Sequence, residues 1–373
     1  MAANTQVLPP IPNATRFLKG LKRYPLFRGG LLPELQIAYE CWGRLSSQRD
    51  NAVLVFTGLS PNAHAASSPE DPAPGWWEYM VGPGKALDTR KYFVICINSP
   101  GSCFGSTGPA SFNPETGRIY RLDFPELTVE DIANAGREVY RSMQIRRLHA
   151  VVGPSLGGMS ALALTVMYPD EVERLVSISA AAQAAPFATA IRSVQREIIR
   201  NDPKWNGGNY DFNDPPTEGI RLARKLGLIT YRSADEYRLR FGRKRKFDAH
   251  SGPAPFAPEF EVEHYLEHNA GNFVNQFDTN CYLYLSRAID WFDLALHGGS
   301  IANAFAKIRT VKNLIIGVET DFLFPISQQR EIADYLQQNN LPTRFEALNS
   351  IQGHDSFLID EARFEPIMRE FFD

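Results

Sequence analysis

The sequence predicts an α/β fold: a mostly parallel central sheet with helices on both faces and an inserted helical segment over about residues 185–299. Three observations carry this. Short apolar runs of β type recur along the chain, helical patterns lie between several of them, and at residues 148–168 an apolar run passes through Gly153-Pro-Ser-Leu-Gly157 directly into a helix-forming run.

The β-type runs are residues 35–40, 52–56 (AVLVF), 92–97 (YFVICI), 148–152, 175–178 and 314–318 (LIIGV). Such mostly apolar stretches suit strands buried on both faces. The pattern over 128–143 predicts a helix capped by Thr128 with Asp131 three residues on, and 157–167 and 327–338 read as further helices. Between about 185 and 299 the rhythm breaks. That stretch is polar and helix-patterned in pieces (190–200, 219–226, 234–241), interrupted by Asn206-Gly-Gly and the Pro-rich 251–258. The economical division is a first core part over 1–184, an inserted helical lid over 185–299 and a second core part over 300–373. No internal repeat is evident.

With 373 residues, 44% hydrophobic and 22% charged, the chain can bury a large core, and its formal net charge of −3 marks no polyanionic partner. The densest basic stretch, 240–246 (RFGRKRK), is short enough to be a solvated face, so nucleic-acid binding is not expected. No apolar run has the length of a membrane span and residues 1–20 lack a signal-type apolar core, so a cytoplasmic protein without membrane contact is expected. Cys41, Cys96, Cys103 and Cys281 show no C-x-x-C spacing, which argues against zinc and against a disulfide framework. Cys103, in the Gly-rich loop 99–106, reads as a small packing residue.

Gly153-Pro-Ser155-Leu-Gly157 fits the nucleophile-elbow pattern G-x-S-x-G, which holds a serine above a sheet at the start of a helix. A serine hydroxyl is a weak nucleophile and needs a base, which in turn needs an acid to fix its tautomer. In α/β-hydrolases these follow in the order Ser, Asp or Glu, His. His64 and His149 precede the serine; His250, His264, His268 and His297 fall in or beside the insertion; only His354 follows the resumed core pattern. Asp321, in the loop after LIIGV, is the expected acid, with Glu319 as the competing carboxylate nearer the strand end. The amide of Leu156 and that of Leu59, in the loop after AVLVF, are the expected oxyanion donors. His64, alone in that early loop, is expected to be structural. No metal is required.

Together with L-x-x-x-A-H-A at 59–65, Gly-Gly-Met159, Q-R-E-x-I at 195–199, Ala223-Arg-Lys225, Tyr231-Arg-Ser233 and Gly353-His-Asp355, these residues resemble the homoserine O-acyltransferase family of the α/β-hydrolase fold from about residue 25 onward. The resemblance implies an acyl-CoA donor, an acyl-enzyme on Ser155, an amino-acid hydroxyl as acceptor and a homodimer with a helical lid. Small molecules are then the partners, and no cofactor beyond the acyl-CoA co-substrate is implied. The elbow Pro154-Ser155-Leu156, the loop Leu-Ser-Pro-Asn-Ala-His at 59–64 and Gly-Ser-Cys-Phe-Gly-Ser-Thr-Gly at 101–108 are similar to the serine O-succinyltransferase branch. Arg192 stands where acetyl-specific members resemble Ala-x-Asn-x-x-Gln-Arg, and a guanidinium can bind the carboxylate that succinyl has and acetyl lacks. Arg192 is therefore the expected selector for succinyl-CoA. The family motifs imply Asp355 for the acceptor's ammonium and Arg224 for its carboxylate. The expected activity is transfer of succinyl to the hydroxyl of L-serine, in cysteine biosynthesis. The alternatives are a homoserine O-acetyl- or O-succinyltransferase of methionine biosynthesis, a serine esterase or thioesterase, and a non-catalytic scaffold of the same fold.

Overall fold

The computed structural model describes residues 9–246, 256–274 and 276–373. His250 and most of the Pro-rich 251–258 stretch lie outside the described residues, as do residues 1–8.

Eight strands form the central sheet: β1 (Arg16–Pro25), β2 (Leu31–Trp42), β3 (Ala52–Phe56), β4 (Phe93–Ile97), β5 (Ala150–Pro154), β6 (Arg174–Ile178), β7 (Lys312–Val318) and β8 (Thr343–Leu348), in the order β1-β2-β4-β3-β5-β6-β7-β8. β2 pairs antiparallel with both β1 and β4, and every pairing from β4 to β8 is parallel. The mostly parallel sheet is therefore observed, with the direction reversed at β2 alone.

The central strands are apolar throughout because each side chain meets a covered face. Leu54 and Phe56 of β3 join one core cluster and Val53 and Val55 the other; Val151 and Val152 of β5 divide the same way. This alternation within a continuous apolar run is what a two-sided parallel sheet requires. Helices α1 (Val129–Ser142) and α2 (Leu156–Met167) supply the first cluster, through Ile132, Val139, Leu156 and Leu162 among others. The expected cap of α1 is present as a full capping box between Thr128 and Asp131.

Between β6 and β7 the chain forms α3 (Pro186–Arg200), α4 (Thr217–Tyr231), α5 (Ala234–Phe241), α6 (Glu261–Val274) and α7 (Thr279–Trp291). α3 starts four residues ahead of the expected 190 because Pro186 opens it, where a missing N–H costs nothing. Asn206 and Gly207 both take positive φ, 46° and 58°, and end a 3₁₀ turn there. After β7 come α8 (Ile326–Gln338) and, beyond β8, α9 (Glu361–Phe372), whose Phe364, Met368, Phe371 and Phe372 close the second face. No helix of the described residues is long and apolar enough to cross a membrane.

Candidate active site

β5 passes into α2 through Ser155 alone, and the turn is sharp. Ser155 holds φ 55° and ψ −123°, a conformation that costs a non-glycine residue about 1–3 kcal/mol, and its N–H is tied to the carbonyl of Ile178 at 2.8 Å. The flanking glycines permit the closure. A Cβ on Gly153 would lie 2.0 Å from the carbonyl oxygen of Gly157, and one on Gly157 would lie 2.4 Å from that of Phe56. The same turn makes Leu156 the first residue of α2, so the helix's N-terminal amides and positive dipole end lie beside the serine.

Asp321 and His354 reach Ser155 from the ends of β7 and β8, the last two strands of the sheet. His354 follows β8 in a single 3₁₀ turn, Gly353–Asp355, anchored where the N–H of Gly353 meets Thr320 Oγ1 at 3.2 Å. Its Nε2 lies 2.9 Å from Ser155 Oγ and its Nδ1 2.7 Å from Asp321 Oδ2. A carboxylate only accepts, so Nδ1 carries the ring proton and Nε2 is left to accept from the serine hydroxyl. Asp321 is held in turn by the amides of Leu323 and Phe324, which donate to Oδ1 at 3.0 and 2.9 Å. Glu319 is exposed and takes no part. The imidazole stacks on Phe324 at 5.0 Å and meets Phe357 edge-on at 5.7 Å, which excludes water from the relay.

Burial alone pushes the His354 pKa down and is the largest single influence. The charge of Asp321, its hydrogen bond and the charge of Asp355 together outweigh it, with Arg192 opposing them, and the net pKa lies above the ordinary histidine value.

Leu59, Arg192, Arg224 and Asp355 line one cavity with Ser155 and His354. Arg192 is not an exposed helix residue: it is 6% exposed, its Nε donates to Asp290 Oδ1 at 2.6 Å, and its Nη2 is buried without a hydrogen-bond partner among the described residues. Arg224 lies over the rings of Phe273 and Tyr231 at 4.3 and 5.5 Å, and its Nε likewise has no hydrogen-bond partner among the described residues. Asp355 faces Arg232 Nε at 3.1 Å, so the free enzyme already gives it a cation. His64 has both ring nitrogens engaged, by Glu40 Oε2 and the carbonyl of Ala73, each at 2.8 Å. It pins the early loop from behind and does not line the cavity. Cys103 is buried and accepts from the amide of Asp278 at 3.4 Å. Among the described residues no group of His, Cys, Asp and Glu is placed to hold a metal ion.

Two features of the site were missed from sequence. Asp290 sits in α7, a helix without a clean apolar period, and contacts α3 across 98 residues. Tyr282, also on α7, lines the cavity, and burial raises its phenol pKa.

A family model described as alpha/beta hydrolase fold matches residues 51–358. The serine O-succinyltransferase of Litchfieldella anticariensis is 54% identical over 362 residues, covering 97% of this chain and 99% of that protein. The chain belongs to the serine O-succinyltransferase family of the α/β-hydrolase fold. Membership in the serine O-succinyltransferase family makes it an O-acyltransferase family enzyme. Among solved structures, the homoserine O-acetyltransferase from Bacillus anthracis superposes with a TM-score of 0.89 at 30% identity, over 96% of this chain and 98% of that one. Esterase E22 superposes with a TM-score of 0.88 at 28% identity, over 96% and 99%.

Proposed function

We propose that this protein transfers a succinyl group from succinyl-CoA to the side-chain hydroxyl of L-serine through an ester on Ser155. What carries the reading is the hydrogen-bonded series Ser155–His354–Asp321 beside a cavity lined by Arg192, whose buried Nη2 has no hydrogen-bond partner among the described residues. The 54% identity to a protein named serine O-succinyltransferase supports the same assignment.

In the first half-reaction His354 Nε2 takes the Ser155 proton as Oγ attacks the thioester carbonyl, and the amides of Leu59 and Leu156 stabilise the oxyanion. Collapse of that intermediate breaks the C–S bond, and the leaving CoA sulfur receives the proton from His354. In the second half the acceptor hydroxyl gives its proton to His354 and attacks the succinyl ester. The product departs as Ser155 Oγ regains the proton. Asp321 stays ionised throughout and stabilises the imidazolium. Asp355 binds the acceptor's ammonium, exchanging it for Arg232, and Arg224 binds its carboxylate. Arg192 takes the succinyl carboxylate. The exchange uses no metal and no cofactor beyond the CoA carried by the donor. The enzyme acts in the cytoplasm as a homodimer, on small molecules, in cysteine biosynthesis, with the α3–α7 insertion as the lid over the site.

A donor-by-acceptor matrix tests this: acetyl-CoA and succinyl-CoA against L-serine and L-homoserine, with product mass measured. The expected product is O-succinyl-L-serine. O-acylhomoserine as the main product would move the protein to the homoserine branch, the function named for its Bacillus anthracis neighbour. The likeness to esterase E22 favours a second reading, hydrolysis of the same acyl-enzyme. Thiol release indifferent to added L-serine would establish that reading instead.

A further inference from the structure

Helix α3 carries Arg192 and Arg196 one turn apart, and both are buried, at 6% and 7% exposure. Like charges at that spacing repel, and a cation out of water needs a partner. Asp290 of α7, its side chain 3% exposed, lies between them. Its Oδ1 accepts from Arg192 Nε at 2.6 Å, and its Oδ2 lies 2.6 Å from Arg196 Nη2. Arg196 is satisfied at its other end as well, since Nη1 donates to Ser286 Oγ at 2.9 Å, one turn earlier on α7. Arg192 is not: its Nη2 is buried with no hydrogen-bond partner among the described residues, in the side chain that lines the cavity containing Ser155.

Among the described residues, two guanidinium charges share the one carboxylate of Asp290, since the cavity's Asp355 is paired to Arg232, so this cluster carries one positive charge in excess. A neutral acyl group gives it nothing, whereas a dicarboxylic acyl group supplies one negative charge. The guanidinium is planar, so a hydrogen bond that fixes Nε also fixes where the Nη2 edge points. We propose that Asp290 is the positioning residue of this subsite: held between Arg196 and Arg192, it aims the Nη2 edge of Arg192 at the terminal carboxylate of the donor's acyl group. This rests on the succinyl-donor reading and adds to it that the rigid anchor reads acyl length as well as charge.

The test is single-turnover thiol release by the full-length enzyme with malonyl-, succinyl-, glutaryl- and acetyl-CoA, for the wild type, Asp290→Asn and Asp290→Glu. The wild type is expected to prefer succinyl-CoA over the three others. Asp290→Asn should lower the succinyl-to-acetyl ratio roughly 10-fold or more, through weaker donor saturation, because a charge-assisted bond that orients the arginine is lost. Its rate with acetyl-CoA should change far less. Asp290→Glu keeps the charge and pushes the guanidinium toward the cavity, so malonyl-CoA should gain on succinyl-CoA; this variant also decides the matter should Asp290→Asn not fold. An equal fall for every donor in both variants would reduce Asp290 to packing and overturn the proposal. So would unchanged donor ratios beside a wild type that prefers succinyl-CoA, and in that case the donor reading itself stands. A wild type with no preference for succinyl-CoA removes the donor reading before any variant is considered.

Discussion

Asp321→Asn is the substitution whose effect follows most directly from the hydrogen bonds around the serine. Oδ1 accepts from two backbone amides at 3.0 and 2.9 Å, and Oδ2 accepts from His354 Nδ1 at 2.7 Å. An asparagine must point its oxygen at one side and its NH₂ at the other. Turning the NH₂ toward Leu323 and Phe324 leaves two buried donors unpaired, at about 1–3 kcal/mol each. The oxygen therefore stays with the amides and the NH₂ faces His354. That makes Nδ1 the acceptor and moves the ring proton to Nε2, the atom 2.9 Å from Ser155 Oγ. The base then presents a proton where it should take one. The expected loss is about 10⁴-fold in the rate of acyl-enzyme formation, or about 5 kcal/mol of barrier. Single-turnover thiol release from the acyl-CoA measures it, and a thermal melt checks that the fold is kept. A loss below 10-fold in a folded variant would refute the tautomer reasoning and with it the part assigned to His354.

Activity should fall on the acid side with a midpoint above the ordinary histidine value, since protonated His354 cannot accept the serine proton and its pKa is raised. In the pH profile of kcat/KM, Asp355→Asn should move that limb down by removing a charge that raises the pKa, and Arg192→Asn should move it up by removing one that lowers it. Arg192→Asn should also shift donor preference from succinyl-CoA toward acetyl-CoA, read in competition by product mass; an unchanged ratio would take Arg192 out of donor selection. Gly157→Ala places a Cβ 2.4 Å from the carbonyl oxygen of Phe56 and 2.9 Å from that of Thr57, and should cost about 1–3 kcal/mol, read as a lowered urea midpoint, together with slower acylation.

The interior of the sheet was legible because its strands are buried on both faces. β3 matches its expected 52–56 span, and β5, β6 and β7 deviate at their ends by no more than two residues. The edges were not. β1 (RFLKGLKRYP) is mostly exposed and carries charges on both sides of a bulge around Gly20, while β8 (TRFEAL) is half-buried at the other edge. An edge strand loses apolar partners on one side, so the run that signals a strand thins to nothing. α6 and α7 were hidden for another reason. α7 buries Thr279, Asn280 and Ser286 beside its apolar residues, so polar side chains occupy positions that a periodicity search assigns to solvent.

The same contrast explains which parts of the site the sequence carried. Parallel strands deliver their following loops to one edge of the sheet, so a serine after β5, an aspartate after β7 and a histidine after β8 converge although 199 residues separate the first from the last. Order along the chain is then enough to find them. Charge compensation has no such ordering. Asp290, the lone acid of α7, is paired to Arg192 across 98 residues, and Glu40, a buried carboxylate of β2, is paired to His64 across 24. Each is buried, so each needs its partner to exist, and the partner's identity is set by packing between elements. A buried charged residue such as Glu40 is the one trace this leaves in sequence: burying it unsatisfied would cost several kcal/mol, so a cation or hydrogen-bond donors had to be near. Where that demand exceeds the cations or anions the protein itself supplies, as proposed for Arg192, the remainder would fall to a ligand.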